Sequence, residues 1–196
     1  MSKTAIIILA AGASRRLGRP KQLLPWQGET LLMRTIQTAL ATPCRPVSVV
    51  LGAHAGIIQP SIEHSEIQIV LNPEWQQGMS TSLKIGLQTL LAANINLEAA
   101  LLLVADQPLL STAHLQQLLA QPLDTGGMVA SFYNGKAGVP VLFHRRWFSA
   151  LLNLSGDQGA RTLLARHEAQ VQTVPFPAGA FDIDTLEDYE KLMPDY

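Results

Sequence analysis

The amino-acid sequence predicts an α/β fold with a mostly parallel sheet that carries helices on both faces. The first observation is that short apolar runs alternate with helical patterns along most of the 196 residues. The second is that these runs are apolar throughout, which is typical of strands buried on both faces. The predicted strands are Thr4–Ala10, Pro46–Leu51, Ile67–Leu71, Ala99–Ala105, Met128–Phe132, Val139–Phe143 and Val171–Pro175.

Four segments with helical periodicity accompany these strands. In the first of them Leu32, Ile36 and Leu40 recur at helical spacing, and the third repeats leucines in the same way. Ser111 is a suitable N-cap for the fourth segment. The predicted helices are Glu29–Ala41, Ala55–His64, Ser80–Ala93 and Thr112–Gln121.

The composition predicts one soluble domain, residues 1–196, because no repeat, linker or low-complexity segment divides a chain that is 47% hydrophobic and 15% charged. The net charge of −1 gives no basic surface for nucleic acid. A single cysteine, Cys44, excludes an intrachain disulfide and a cysteine-based zinc site, as is typical of a reducing cytoplasm. No apolar stretch approaches the roughly 18 residues of a membrane span. We therefore expect a cytoplasmic protein with no membrane partner.

The predicted strand order places two segments in one crevice. In a sheet of order 3-2-1-4, the direction of winding reverses between the first and fourth strands, and ligands bind beyond the carboxyl ends of the strands there. Those ends are LAAGASRRLGRPK, residues 9–21, and LVADQPLL, residues 103–110. Asp106 and the opening loop are thus expected to face each other.

The opening loop fits none of three familiar glycine-loop patterns. Its glycines, Gly12 and Gly18, lack the spacing of a dinucleotide-binding loop, a Walker A loop or a hydrolase nucleophile elbow. Backbone N–H groups near Gly12 and the cations Arg15, Arg16, Arg19 and Lys21 could together hold a polyanion such as a triphosphate. The alternative from composition alone is a solvated surface loop.

The stretch LAAGASRRLGRPKQLLPWQGETLL, residues 9–32, resembles the signature LAAG-x-S-x-R-M-G-x-x-K of the MobA-like nucleotidyltransferases, with Leu17 in place of the methionine. Ala10-Ala11 and Pro20 resemble the branch that transfers cytidylyl groups to molybdenum cofactor. Six later blocks resemble that family in its order: VVLGAHA, NPEWQQGMSTSLKIGL, LLLVADQPLL, GVPVLFHRRWF, SGDQGAR and FDIDTLEDY. The resemblance implies a Rossmann-like nucleotidyltransferase fold.

The activity that this resemblance implies is transfer of CMP from CTP to the phosphate of molybdenum-bound molybdopterin, with release of pyrophosphate. The implied partners are a nucleoside triphosphate, a molybdopterin-type acceptor and a molybdenum hydroxylase that receives the product. Two alternatives stay open. One is transfer of GMP from GTP to the same acceptor, and the other is a carrier that holds the cofactor without catalysis.

The resemblance also implies roles for individual residues. Arg16, Lys21 and Asp106 are the expected catalytic residues, with Arg16 on the β- and γ-phosphates and Lys21 on the α-phosphate. Asp106 and one carboxylate of the FDIDT segment, Asp184 rather than Asp182, are expected to hold Mg²⁺. The expected nucleotide-binding residues are Leu9, Ala10, Ala11, Gly12, Arg16, Lys21, Gly52, Asn72, Gly78, Ser80 and Ser82.

Several of these residues have purely structural alternatives. Asp106 could instead form a turn or cap before Ser111, and the segment from Asp184 could be a helix-capping box. Ser80 or Ser82 could begin a helix. Asp157 and Arg161 of SGDQGAR could serve the acceptor end of the site, or form a salt bridge or a helix start.

Overall fold

The structure is a computed structural model that describes residues 3–63, 66–93, 96–123 and 127–192. The strands within these ranges are β1 Thr4–Ala10, β2 Pro25–Trp26, β3 Glu29–Thr30, β4 Val47–Leu51, β5 Gln68–Leu71, β6 Ala99–Val104, β7 Met128–Tyr133, β8 Lys136–His144 and β9 Val171–Pro175. The α-helices are α1 Leu31–Leu40, α2 Ala55–Ile58, α3 Met79–Ala92, α4 Thr112–Leu119, α5 Phe148–Leu152, α6 Ala160–Arg166 and α7 Leu186–Leu192.

Seven strands form one sheet in the order β5-β4-β1-β6-β8-β7-β9. The first four pair in parallel, β8 runs antiparallel to both β6 and β7, and β9 is parallel to β7. The predicted order of the first four predicted strands and the mostly parallel sheet are confirmed. The carboxyl ends of β1 and β6 lie side by side, since Leu9 pairs with Val104.

The core lies on both faces of this sheet because the side chains of each buried strand alternate between the faces. From β1, Ile6 and Ile8 join a cluster that includes Ile36 of α1, whereas Ala5 and Ile7 join one that includes Leu87 of α3. The helices thus cover opposite faces, as the uniformly apolar strands predict.

The hairpin of β7 and β8 differs from the sequence prediction. The strand expected over Val139–Phe143 begins at Lys136 and ends at His144. Asn134 and Gly135 connect it tightly to β7, both with positive φ, at 50° and 73°. Asn-Gly between two apolar runs is a strong hairpin signal that the sequence interpretation did not use.

Two helical predictions also need correction. The helix expected over 55–64 is α-helical only over Ala55–Ile58 and continues as a 3₁₀ turn, Gln59–Ser61, because Pro60 has no N–H for an α-helical bond. His64 lies outside the described residues. The short helix α5 was not predicted, and α6 was expected only as a possible helix start at SGDQGAR, since five and seven residues give too little periodicity to recognise.

Candidate active site

The loop after β1, residues 11–22, is fixed by its own backbone and by one buried side chain. Ser14 has a φ of 50° and its carbonyl accepts hydrogen bonds from the N–H groups of Leu17 and Gly18. Gln22 is only 1% exposed, and its amide donates to the carbonyl oxygens of Ala10 at 2.8 Å and Gly12 at 3.0 Å. We call this segment the glycine loop.

The glycine loop leaves donors available to a ligand. Within the part of the chain that the structure describes, no backbone carbonyl accepts a hydrogen bond from the N–H groups of Gly12, Ala13 or Ser14. Successive unpaired N–H groups at a strand end form a concavity that suits an anion. The loop can therefore hold phosphate oxygens without using a side chain.

Lys21 connects the glycine loop to two carboxylates. Its Nζ lies 2.8 Å from Oδ2 of Asp106 and 3.1 Å from Oδ1 of Asp184. Asp184 also pairs with the guanidinium of Arg16 at 2.6 Å, and the Arg16 side chain is 70% exposed. Arg16, Lys21, Asp106 and Asp184, the residues expected to act on the triphosphate and the metal, thus form one cluster.

Asp184 reaches this cluster because its neighbours supply the helix cap. The side chain of Asp188 accepts from the N–H of Thr185 at 2.8 Å, and the Thr185 hydroxyl accepts from the N–H of Asp188 at 3.2 Å. The Thr185 hydroxyl also donates to the Asp188 carboxylate at 2.7 Å, and this bond, followed by the one from the Thr185 N–H, lowers the pKa of Asp188. The N–H of Ile183 donates to the Asp106 carbonyl at 3.0 Å. The capping box is confirmed, and it leaves the Asp184 carboxylate turned toward the cations.

Opposing effects act on the charges of this cluster. Burial alone would lower the pKa of Lys21, but Asp106 and then Asp184 outweigh it, so that the pKa is raised and the ammonium form is favoured. The neighbouring Asp182 has a raised pKa, first because it is partly buried and then because Asp106 and Asp184 repel a further negative charge.

A cavity of about 480 Å³ lies over the glycine loop. Half-buried Trp75 and the N-terminal end of α3 form the opposite wall. Eight of the predicted site residues line it: Leu9, Ala10, Ala11, Gly12, Lys21, Gly78, Ser82 and Asp106. We call it the first cavity.

A second cavity of about 410 Å³ adjoins the first across a common wall that includes Lys21 and Asp106. Its far side is formed by Tyr133 of the β7–β8 hairpin, Arg161 of α6 and Asp182. Asp184 also lines this cavity. The cation and carboxylate cluster therefore stands between two spaces, each large enough for part of a substrate.

The sequence of residues 6–171 matches the family model described as the MobA-like NTP transferase domain. The chain belongs to this family. Among solved structures, the chain is similar to a homologue of Mycobacterium tuberculosis rv0371c from Mycobacterium sp. strain JC1. The TM-score is 0.83 at 30% identity, covering 98% of this chain and 96% of that one. The fold of that structure agrees with the Rossmann-like nucleotidyltransferase fold expected from the sequence.

Curated proteins that are similar to this chain carry different names. The chain is 31% identical over 198 residues to a nicotine blue oxidoreductase of Paenarthrobacter nicotinovorans, covering 95% of each chain. It is 27% identical over 190 residues to the molybdenum cofactor cytidylyltransferase of Escherichia coli, covering 96% of this chain and 95% of that one. Probable guanylyltransferases of the same cofactor are also similar to it.

Three predicted nucleotide-binding residues support the first cavity without lining it. Asn72 is 3% exposed, and its amide donates to the hydroxyls of Thr81 and Ser82 at 2.9 and 2.8 Å. Ser80 is buried, and its N–H donates to the carbonyl of Gly156. Gly52 lies so close to Trp75 and Ala11 that a Cβ would approach them to 2.7 and 2.9 Å. Their roles in nucleotide binding stay predictions.

The start of α3 corrects one structural expectation. Gly78 is the N-cap, with a φ of 110°, whereas Ser80 and Ser82 lie inside the helix and are buried. The expected N-cap at Ser111 is confirmed, because its side chain accepts from the N–H of His114. The Asp106 side chain does not have the alternative role in a turn or cap, since its carboxylate pairs with Lys21.

Two positioning residues were missed by sequence reasoning. Gln22 was considered only within the stretch of residues 9–32 that resembles the family, and Tyr133 lies one residue beyond the predicted strand Met128–Phe132. Both are buried polar side chains that donate to backbone carbonyls, Gln22 to that of Ala10 and Tyr133 to that of Val139. A polar residue inside an otherwise apolar pattern was the available signal, because a buried amide or hydroxyl requires a partner.

The carboxylates of the candidate site suit a Mg²⁺ ion that binds together with its substrate better than they suit a metal held by protein ligands alone. Among the described residues, no group of three or more His, Cys, Asp or Glu side chains could hold an ion. Asp106 and Asp184 place two carboxylates around the Lys21 ammonium. Mg²⁺ is usually bound by one or two carboxylates together with substrate phosphates and water. The residues present therefore fit a Mg²⁺ ion that arrives with a nucleotide.

None of the helices in the described part of the chain has the length and apolar character needed to cross a bilayer.

Proposed function

We propose that the protein transfers CMP from CTP to the phosphate of molybdenum-bound molybdopterin and releases pyrophosphate. A phosphate oxygen of the acceptor forms a bond to the α-phosphorus, and the bond from the α-phosphorus to the oxygen that bridges to the β-phosphate breaks. The observation that carries this proposal is that Lys21, Asp106 and Asp184 meet at the wall between two cavities. Membership of the MobA-like family supports it.

The glycine loop and Lys21 supply the positive electrostatic environment that the triphosphate needs. The N–H groups at residues 12–14 bind phosphate oxygens, and the Lys21 ammonium neutralises charge at the α-phosphate. The exposed Arg16 guanidinium lines neither cavity but pairs with Asp184, and from there it would bind the β- and γ-phosphates. Such preorganised donors stabilise the charge that moves to the leaving pyrophosphate.

Asp106 and Asp184 would hold Mg²⁺ in this scheme. When bound, the ion supplies positive charge to the phosphoryl oxygens that Lys21 and Arg16 do not reach. Both carboxylates are engaged by Lys21 in the free protein. Nucleotide binding would draw Lys21 and Arg16 toward the phosphates and free the carboxylate oxygens.

Support for the cytosine base comes from the sequence of the loop. Ala10-Ala11 and Pro20 are the residues that resemble the cytidylyl branch, and a cytidylyltransferase of molybdenum cofactor is similar along nearly the whole chain. Guanylyltransferases are similar as well, so GTP is the first alternative donor. We propose that the product passes to a molybdenum hydroxylase in the cytoplasm.

The experiment that tests this proposal is Mg²⁺-dependent pyrophosphate release from CTP, GTP, ATP and UTP, each with and without molybdenum-loaded molybdopterin. We expect release from CTP that requires the pterin. A preference for GTP would change the base and leave the proposed chemistry intact. Tight pterin binding with no release from any nucleotide would instead favour the carrier.

A further inference from the structure

The position of the cluster between two cavities fixes the direction from which an acceptor can approach. In phosphoryl transfer the attacking and leaving oxygens lie roughly in line across the phosphorus. If the triphosphate lies along the glycine loop, its leaving group occupies the first cavity. The acceptor then approaches past Lys21 and Asp106 from the second cavity.

An anionic acceptor in the second cavity needs a cation, because carboxylates outnumber cations on the wall of this cavity. These carboxylates are Asp106, Asp157, Asp182 and Asp184. Lys21 already pairs with two of them. Arg161 is different, since no carboxylate in the described residues is within ion-pair distance of its guanidinium.

Arg161 is nevertheless held in place. Its Nη2 donates to the hydroxyl oxygen of Tyr133 at 2.9 Å, and its Cζ lies 5.7 Å from the centre of the Tyr133 ring. Tyr133 is 5% exposed and donates its own hydroxyl proton to the carbonyl of Val139 at 3.0 Å. The Gln107 amide donates to the same carbonyl at 3.1 Å. The hydrogen bond to Tyr133 uses one of the five N–H donors of the guanidinium.

One structural alternative for Arg161 is confirmed, since α6 begins at Ala160 and Arg161 lies in its first turn. That position does not explain the hydrogen bond from its guanidinium to Tyr133, and Arg161 makes no salt bridge within the described ranges. The remaining donors form a planar fork that matches the geometry of a phosphate. Apolar side chains of Met79, Val104 and Val139 line the same cavity, whose volume of about 410 Å³ exceeds what a phosphate alone requires.

We propose that Arg161 binds the phosphate monoester of the acceptor, whose organic body lies in the second cavity, and that Tyr133 positions the guanidinium. This inference rests on the proposed nucleotidyl transfer for its reaction, but not for its binding measurement. It assigns Arg161 to the acceptor and the glycine loop to the nucleotide. The apolar wall and the volume of the cavity favour a phosphate monoester with an organic body over inorganic phosphate.

The test compares Arg161→Gln and Arg161→Lys with the wild-type full chain, using molybdenum-loaded molybdopterin as the probe. The matched control is Arg166→Gln, an exposed arginine on the same helix that lines neither cavity. Equilibrium dialysis gives the Kd for the pterin without requiring turnover. Steady-state kinetics give separate KM values for pterin and nucleotide.

We expect Arg161→Gln to raise the Kd and KM for the pterin about 10- to 100-fold, the scale of a lost charged hydrogen-bonded pair. The nucleotide KM should change less than about twofold, and Arg161→Lys should recover part of the loss because it restores charge without the fork. Tyr133→Phe should give a smaller rise, since the ring remains and the hydroxyl acceptor is removed.

The two proposals fail in different ways. If Arg161→Gln binds pterin like the wild type, or raises the nucleotide KM as much as the pterin KM, Arg161 has no specific role at the acceptor. If the wild type binds pterin but transfers no nucleotide, and Arg161→Gln loses pterin binding, the phosphate site is supported and the proposed transfer is wrong.

Discussion

The two cavities are built in different ways from one chain. The first takes its largest set of lining residues from one continuous segment, the glycine loop, which Gln22 closes on itself. The second takes Tyr133, Arg161 and Asp182 from three separate elements. The first cavity therefore depends mainly on local hydrogen bonds of one segment, whereas the second depends on how the β7–β8 hairpin and α6 pack.

The largest effect is expected from substitution of a residue that lines both cavities, Asp106. We expect Asp106→Asn to lower kcat about 10²- to 10³-fold, the scale of losing one key electrostatic group, because the amide removes the negative charge that faces Lys21 and the proposed metal. The measurement is steady-state pyrophosphate release with saturating substrates.

A matched control for Asp106→Asn is Glu187→Gln, which removes an exposed carboxylate paired with Lys191 on α7. The control should retain wild-type turnover. Equal turnover in Asp106→Asn and the wild type would remove Asp106 from the mechanism and leave the shared wall without a function.

The contact between the two cavity walls is tested by Gly78→Ala. Gly78 has a φ of 110°, and a Cβ there would lie 2.3 Å from the carbonyl carbon of Gly156, which precedes Asp157 on the second wall. Because this backbone cannot move without separating the walls, we expect a loss of more than about 2 kcal/mol in the free energy of unfolding. Denaturant titration measures it.

Gly56→Ala provides the comparison for Gly78→Ala, since a Cβ at Gly56 meets no atom within 4 Å. It lies in α2, so alanine should stabilise the protein by up to about 1 kcal/mol. Similar unfolding free energies for the two variants would contradict the idea that Gly78 joins the walls by close backbone contact.

A change confined to the first cavity should weaken nucleotide binding and leave pterin binding unchanged. In Gln22→Leu the carbonyls of Ala10 and Gly12 lose their buried donor, at a cost of about 1–3 kcal/mol in the free energy of unfolding. The loosened loop should raise the nucleotide KM roughly tenfold, equivalent to about 1.4 kcal/mol. The pterin Kd should stay at the wild-type value, because Gln22 does not line the second cavity.

Gln116→Leu, on the exposed side of α4, controls for the loss of an amide. A pterin Kd that rises in parallel with the nucleotide KM in Gln22→Leu would mean that the cavities are not independently supported.

The sequence predicted the first cavity better than the second for a physical reason. Strand order and loop position follow from local apolar patterns, so the approach of Asp106 to Lys21 could be expected. Arg161 could be named, but not its partner, because Tyr133 is brought to it by an antiparallel hairpin rather than by chain proximity. The closure of the glycine loop depends on one buried amide, that of Gln22, and the short length of α2 depends on Pro60. Apolar periodicity does not reveal the effect of a single residue.

The support of the second cavity includes a buried histidine. His114 on α4 is 5% exposed, and its Nε2 lies 2.7 Å from the Ser131 hydroxyl of β7. Its ring stacks on Phe176 at 4.0 Å between centroids, and Phe176 packs edge-on against Tyr133 at 6.2 Å. Ser131 donates its proton to the Pro140 carbonyl, so the imidazole donates to Ser131 through Nε2. The stack continues to the residue that holds Arg161.

The smallest expected effect is a pH dependence that originates at His114. Burial lowers its pKa below the ordinary value near 6.5, although a hydrogen bond with Gln117 opposes the shift. The folded state therefore resists a proton that the unfolded chain accepts, so the free energy of unfolding falls as the pH drops below about 6.5. Above that pH both states are neutral at this residue and the stability is fully present.

Urea titrations from pH 7.5 to pH 5.0 should show this loss in the wild type and a shallower one in His114→Gln, which keeps a polar group and cannot take up the proton. Circular dichroism at pH 7.5 checks that the variant is folded. Parallel pH curves for the two proteins would show that His114 is not the group that titrates. A pterin Kd that rises in the same pH range in the wild type but not in the variant would show that protonation of His114 also affects Arg161 through the stacked rings.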